Sequence, residues 1–159
     1  MLNIGGFCMR GISFKTKNCI DNKDFIKIFH GINLSNYRVK LNCEEFYNLD
    51  GSLIEIDEFI EYDKFCEFFN EFDFYTVFLE MFVYKTSETK KIELPIDYKG
   101  YLKSSCEMVM FIHDSVFVEI YSKNKENIKQ IMKNIFDARY CDKSYITDEN
   151  DSRTKFRVW

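Results

Sequence analysis

The sequence predicts a single α+β domain: a mainly antiparallel, or mixed, sheet with three or four helices packed on it. Three observations carry this. Glu107–His113 and Val116–Ser122 are apolar runs separated by Asp114-Ser115, the pattern of a strand hairpin. Phe74–Tyr84 is long, aromatic and β-branched, as an interior strand is. Lys125–Arg139 places Ile128, Ile131, Met132, Ile135 and Phe136 on one stripe and leaves Lys129 and Lys133 off it, which makes an amphipathic helix.

The remaining elements follow in chain order. Arg10–Lys15 alternates and reads as a first strand. Asp21 is placed to cap a helix running to about His30, with Phe25, Ile28, Phe29 and Ile32 at i, i+3, i+4 and i+7. Tyr37–Leu41 and Glu44–Leu49 read as two strands, and Leu53–Ile56 pairs back across the Asp50-Gly51 turn. In Glu58–Glu71 the apolar residues Tyr62, Phe65, Cys66 and Phe69 have helical spacing and the acids fall between them. Asp97–Ser104 is a short helix after Pro95, the only proline. In the hairpin, a two-residue loop sets Phe111 opposite Val118 and Val109 opposite Ile120. Ser144–Thr147 and Thr154–Trp159 read as a terminal hairpin around the polar turn DENDSR.

Composition bounds the class. A hydrophobic fraction of 46% is too high for a disordered chain, and 159 residues can bury a core without staples. No apolar run approaches the roughly 20 residues of a membrane span, and the N-terminus has no basic segment leading an apolar one. Six cysteines occur without any CxxC pair, so the expected state is reduced thiols, most of them small core hydrophobes. Lys outnumbers Arg 17 to 5 and alanine occurs once, a pattern that AT-rich codons produce. Part of the aromatic content, 18%, therefore reflects composition.

The formal charge of −4 hides a division. Residues 44–80 hold twelve acids and one base, Lys64, a formal −11; the rest of the chain carries +7. There is no long basic run, and an acidic face repels phosphate backbones, so no nucleic-acid partner is expected. GxGxxG, P-loop, HExxH and GxSxG motifs are absent. The two histidines are too few for a His-rich metal centre, and no metal or cofactor is expected. His113, Asp114 and Ser115 are the right types for a triad, but neighbours on a tight turn do not point at one another. Cys141 lies near Arg139 and Lys143, whose charge favours a thiolate, yet no cysteine-enzyme signature surrounds it. No residue is assigned a catalytic role.

Two constellations remain as binding sites. Glu58, Glu61, Glu67 and Tyr62 represent an acidic-aromatic face; a charge run is ordinarily a solvated helix side, but carboxylates interleaved with aromatics also steer and anchor a basic partner. Asp148, Glu149, Asp151 and Arg153 crowd the terminal turn. Their spacing lacks the calcium-loop pattern, and such turns ordinarily use Asp and Asn to bond the backbone.

Two stretches are distinctive: MRGISF at Met9–Phe14 and YITDENDSRTKFRVW at Tyr145–Trp159. With the spacing of elements between them, they resemble the domain-of-unknown-function 2691 family of small proteins from low-GC, spore-forming Gram-positive bacteria. The resemblance runs from Met9 to the end, which makes residues 1–8 an N-terminal extension of the one domain. It implies a bacterial, cytoplasmic protein and supplies no activity or site residue. The reading favoured by the sequence is a non-catalytic cytosolic binding module presenting the acidic-aromatic surface to a protein partner with a basic surface. The alternative is a small ligand-binding or hydrolytic enzyme using the terminal turn.

Overall fold

The computed structural model describes residues 3–4, 6–88 and 91–158, with the side chains of residues 3, 4 and 43 outside the description. The strands are β1 (Asn3–Ile4), β2 (Phe7–Lys15), β3 (Tyr37–Asn48), β4 (Leu53–Ile54), β5 (Phe59–Glu61), β6 (Phe74–Lys85), β7 (Cys106–His113), β8 (Phe117–Ser122) and β9 (Cys141–Thr147). The helices are α1 (Asn22–Ile28), α2 (Tyr62–Glu71), α3 (Tyr98–Lys103) and α4 (Lys125–Asp137). The strands form one antiparallel sheet in the order β1-β2-β8-β7-β6-β3-β4, with β5 also on β3 and β9 also on β2. It is an α+β fold in which the sheet dominates.

Both faces of the central strands are buried, because alternate residues serve two separate cores. On one face Ile12, Leu41, Met81, Met110 and Ile120 share a buried cluster with Phe25 and Ile28 of α1, Phe65 and Phe69 of α2, and Ile128, Ile131 and Ile135 of α4. On the other, Phe82, Val109, Phe111 and Tyr121 cluster with Tyr101 of α3 and Phe156. Gly11 sits where β2 touches both β8 and β9; a Cβ there would come 2.1 Å from the Ile120 carbonyl oxygen, so only glycine fits.

Local chemistry explains the elements. Asp21 and Asp24 form a reciprocal capping box at the start of α1. Asn124 caps α4 through the Glu126 N–H, and Asp97 caps α3 through the Gly100 N–H. At the other end of α1, the buried Asn134 amide of α4 donates to the carbonyls of Ile28 (2.9 Å) and His30 (2.7 Å), satisfying groups that a helix end leaves open.

Several expectations are corrected. Residues 37–48 form one strand, bent by irregularities around Asn42–Phe46 where two strands were expected. Residues 59–61 pair with β3 before α2 begins, so the expected helix from Glu58 starts at Tyr62. The β7–β8 loop has three residues, Asp114, Ser115 and Val116, rather than two. Asp114 and Ser115 are both left-handed (φ 52° and 65°), and Phe111 lies opposite Glu119 instead of Val118. Phe136, expected in the α4 stripe, is 68% exposed, and Asn134 takes the inward place. The expected terminal hairpin does not form: β9 pairs with β2, and residues 148–158 form no strand.

Candidate functional site

The acidic segment lies along one edge of the sheet. β4 and β5 both pair with β3 there, and α2 follows directly. Asp50, Glu55, Asp57, Glu58, Glu61, Asp63, Glu67, Glu71 and Asp73 are all exposed. Glu58 pairs with Lys40, and Lys64 is the base within the stretch. Glu80, the twelfth acid of the segment, is different: it is 1% exposed and accepts hydrogen bonds from the Asn42 amide and the Val158 N–H.

Beside this edge, α1 and α2 leave an apolar groove of about 230 Å³, with Phe25, Ile26, Phe29, Ile32, Tyr62, Cys66 and Phe69 along it and His30 and Asn70 at its margin. The 3.6-residue period puts Asp63 and Glu67 on the turn of α2 next to Cys66 and Asn70, so the groove has an acidic lip on that side. On α1, Lys27 pairs with Asp24 and faces a different depression, with Asn134, Asp137 and Ala138 of the α4 end. The groove is thus apolar along its length, with carboxylates beside its α2 wall.

The residues singled out in the sequence do not gather at one place. Glu58, Glu61 and Glu67 are on the acidic edge and exposed. Tyr62, expected among them on the surface, is 7% exposed and forms part of the groove floor; burial raises its phenol and it bonds Cys66. Asp148 and Glu149 are exposed beyond β9, and the Asp148 carboxylate accepts from the Cys8 N–H at 2.9 Å. Asp151, whose side chain is 2% exposed, accepts from the Tyr121 hydroxyl (2.9 Å) and Arg10 (3.0 Å). Arg153 binds Glu119 through Nε (2.6 Å) and Nη2, donates to the Arg157 carbonyl through Nη1 (2.6 Å), and lies 4.3 Å over the Phe111 ring. These groups work as fasteners. They hold residues 151–158 across the second core, where Phe156 contacts Tyr98, Tyr101, Phe111 and Tyr121.

Other reactive types have structural surroundings too. His113 stacks on Phe117 at 5.2 Å, and the Ser115 N–H donates to the Val77 carbonyl, so residues 113–115 show no triad geometry. Burial pushes the Cys106 thiol up to about 12, the wrong direction for a nucleophile. Cys8, Cys19, Cys66, Cys106 and Cys141 are free thiols. Among the described residues no three His, Cys, Asp or Glu side chains stand close enough to hold a metal ion, and no helix is long and apolar enough to cross a membrane.

Sequence reasoning missed Glu119, Arg10 and the separate role of Glu80. The signal for Glu80 was present: one carboxylate inside an otherwise apolar strand needs a buried partner. Glu119, the one carboxylate of β8, carries a similar signal, but its partner lies on a strap 34 residues away and could not be named.

Residues 9–157 match the family described as "Protein of unknown function (DUF2691)". The chain belongs to this family. Of the stretches that carried the resemblance, Met9–Phe14 lies within the match and Tyr145–Trp159 does so up to Arg157; in the fold they belong to β2, the end of β9 and the strap. A relative in the same size range is "Uncharacterized protein YncE" of Bacillus subtilis (strain 168), 30% identical over 155 residues, covering 94% of this chain and 99% of the relative. No solved structure matches the chain.

Proposed function

We propose that this DUF2691 protein is a non-catalytic cytoplasmic binding module. The α1–α2 groove receives an amphipathic, basic segment of a protein partner, apolar side inward and Lys or Arg against the α2 lip. The observation that carries this is a local conflict in α2. Asp63, Glu67 and Glu71 stand at i, i+4 and i+8, where like charges repel by about 0.2–0.5 kcal/mol per pair. Glu67 and Glu71 are near the C-terminal end of the helix, which has no base in its last turn, although that end of the dipole favours cations. Lys64 at i, i+3 from Glu67 and the first-turn position of Asp63 offset part of this, and the Glu67–Glu71 repulsion at the C-terminal end is left uncompensated. Local choices that oppose the fold are where function is to be sought, and the adjoining apolar groove supplies the anchor that a charged face lacks.

Affinity capture with the wild type and with Glu58→Lys/Glu61→Lys/Glu67→Lys tests the reading. The expected result is a partner held by the wild type, released by salt and absent with the charge-reversed chain. Identical partner sets for both chains overturn it.

A further inference from the structure

The strap borders a second cavity, on the opposite face of the sheet from the α1–α2 groove. It is an open depression of about 430 Å³ lined by His113, Glu119, Ser152, Arg153, Thr154, Lys155 and Arg157. In a chain of net charge −4, its wall holds three permanent cations and one carboxylate. That carboxylate is already matched, because Glu119 takes two N–H groups of Arg153. Arg157 is fixed by the Pro95 and Phe156 carbonyls through Nη1 and has its Nε 3.9 Å from the buried Glu80. Among the described residues, its other terminal nitrogen, the Lys155 ammonium, the His113 ring and the Ser152 and Thr154 hydroxyls have no hydrogen-bond acceptor. The cavity therefore presents solvent-facing donors on a basic wall.

The geometry points to a binding site for a small phosphate-bearing molecule, with Lys155 and Arg157 as the charge contacts and Ser152, Thr154 and His113 as hydrogen-bond donors. Phosphate oxygens suit this set, because each accepts several charge-assisted hydrogen bonds. Arg157, one of the two charge contacts, is held by the Pro95 and Phe156 carbonyls, so little of its side-chain freedom is lost when an anion arrives. Its volume lies within the ordinary range for small-ligand pockets, about 300–1,000 Å³. The acidic edge is built on β4, β5 and α2, so its charge does not line this cavity.

Titration of the full chain with inorganic phosphate and with glycerol 3-phosphate, at constant ionic strength in chloride and followed by amide chemical shifts, tests the site. Saturable shifts confined to His113 and residues 152–157 are expected. Tighter binding of the ester than of inorganic phosphate identifies a phosphomonoester site, and the reverse identifies a site for the free ion. Lys155→Ala, a change at an exposed side chain, weakens binding roughly tenfold, the loss of one charge-assisted contact. Glu58→Lys/Glu61→Lys/Glu67→Lys leaves it unchanged, which separates this site from the protein-binding groove. Shifts that do not saturate, or equal binding by Lys155→Ala in a chain with unaltered circular dichroism, overturn the assignment.

Discussion

Three of the five arginines stand over aromatic rings: Arg10 over Tyr98 at 4.2 Å, Arg38 over Phe59 at 4.5 Å and Arg153 over Phe111 at 4.3 Å. A planar guanidinium stacks and forks hydrogen bonds in one plane, which an ammonium cannot do. In a chain with 17 lysines, arginine stands where that geometry fastens the covering segments to the sheet. Arg153→Lys is therefore expected to lose about 2 kcal/mol, the value of a hydrogen bond to a charged group. Urea denaturation measures it, and an unchanged midpoint contradicts the role. Cys106 gives a second residue-scale prediction. Its folded thiol titrates at about 12, raised by burial, while an unfolded thiol titrates near 8.5. The unfolded chain then binds fewer protons than the folded one as pH rises between those values, so stability present below about pH 8.5 falls as pH rises toward 12. Burial raises Tyr84 and Tyr121 as well, and they act in the same direction. The denaturation midpoint should fall across the alkaline range, with exposed Cys19 alkylated readily at neutral pH and Cys106 only on unfolding. Equal alkylation rates contradict this. Arg153 drew attention in the sequence because it lies in a dense polar turn; its partner could not be read, since Glu119 faces it only through the observed β7–β8 register.

At the scale of elements, α2 is the informative one. Replacing Glu67 by Lys turns two like-charge i, i+4 pairs into opposite-charge pairs, at the cost of its i, i+3 pair with Lys64, and places a cation toward the C-terminal end. Glu67→Lys is expected to stabilise the chain by about 0.5–1 kcal/mol while it weakens partner binding. Thermal unfolding and affinity capture read the two effects separately; a destabilised variant contradicts the account of α2. Most elements were legible, because period and capping signals coincide: Asp21, Asp97 and Asn124 all cap helices, and the apolar stripes of α1 and α2 face inward. The β7–β8 register was not. Two consecutive non-glycine residues adopt left-handed backbone there, and hydrogen bonds from Ser115 and to it, involving Val77 and Ile20, hold the loop from distant segments. One residue of loop length moved Glu119 onto the face of Phe111. The exposure of Phe136 has a similar origin, since Asn134 occupies the inward position to close the end of α1.

The whole molecule is a sheet with two cores, and the chain's last described residues complete the second. The sequence showed strands apolar on both sides, which requires a cover on each, but not that residues 151–158 supply part of one. Phe156→Ala is expected to cost about 4 kcal/mol, as for removal of a fully buried ring; a loss below about 1 kcal/mol would show that the strap is not part of the fold's stability. The same arrangement divides the surface. The acidic edge and the apolar groove are built from β4, β5, α1 and α2, away from the strap and its cationic cavity. The central claim is that the groove with the acidic α2 lip receives a basic segment of a protein partner. A photocrosslinking residue placed at Asn70, with one at Leu102 of α3 as the remote control, tests it most directly by sequencing the captured peptide. The account predicts a Lys- or Arg-rich amphipathic peptide captured at Asn70 alone and lost when Glu67→Lys is added; capture equal at both positions, or unaffected by Glu67→Lys, would contradict it.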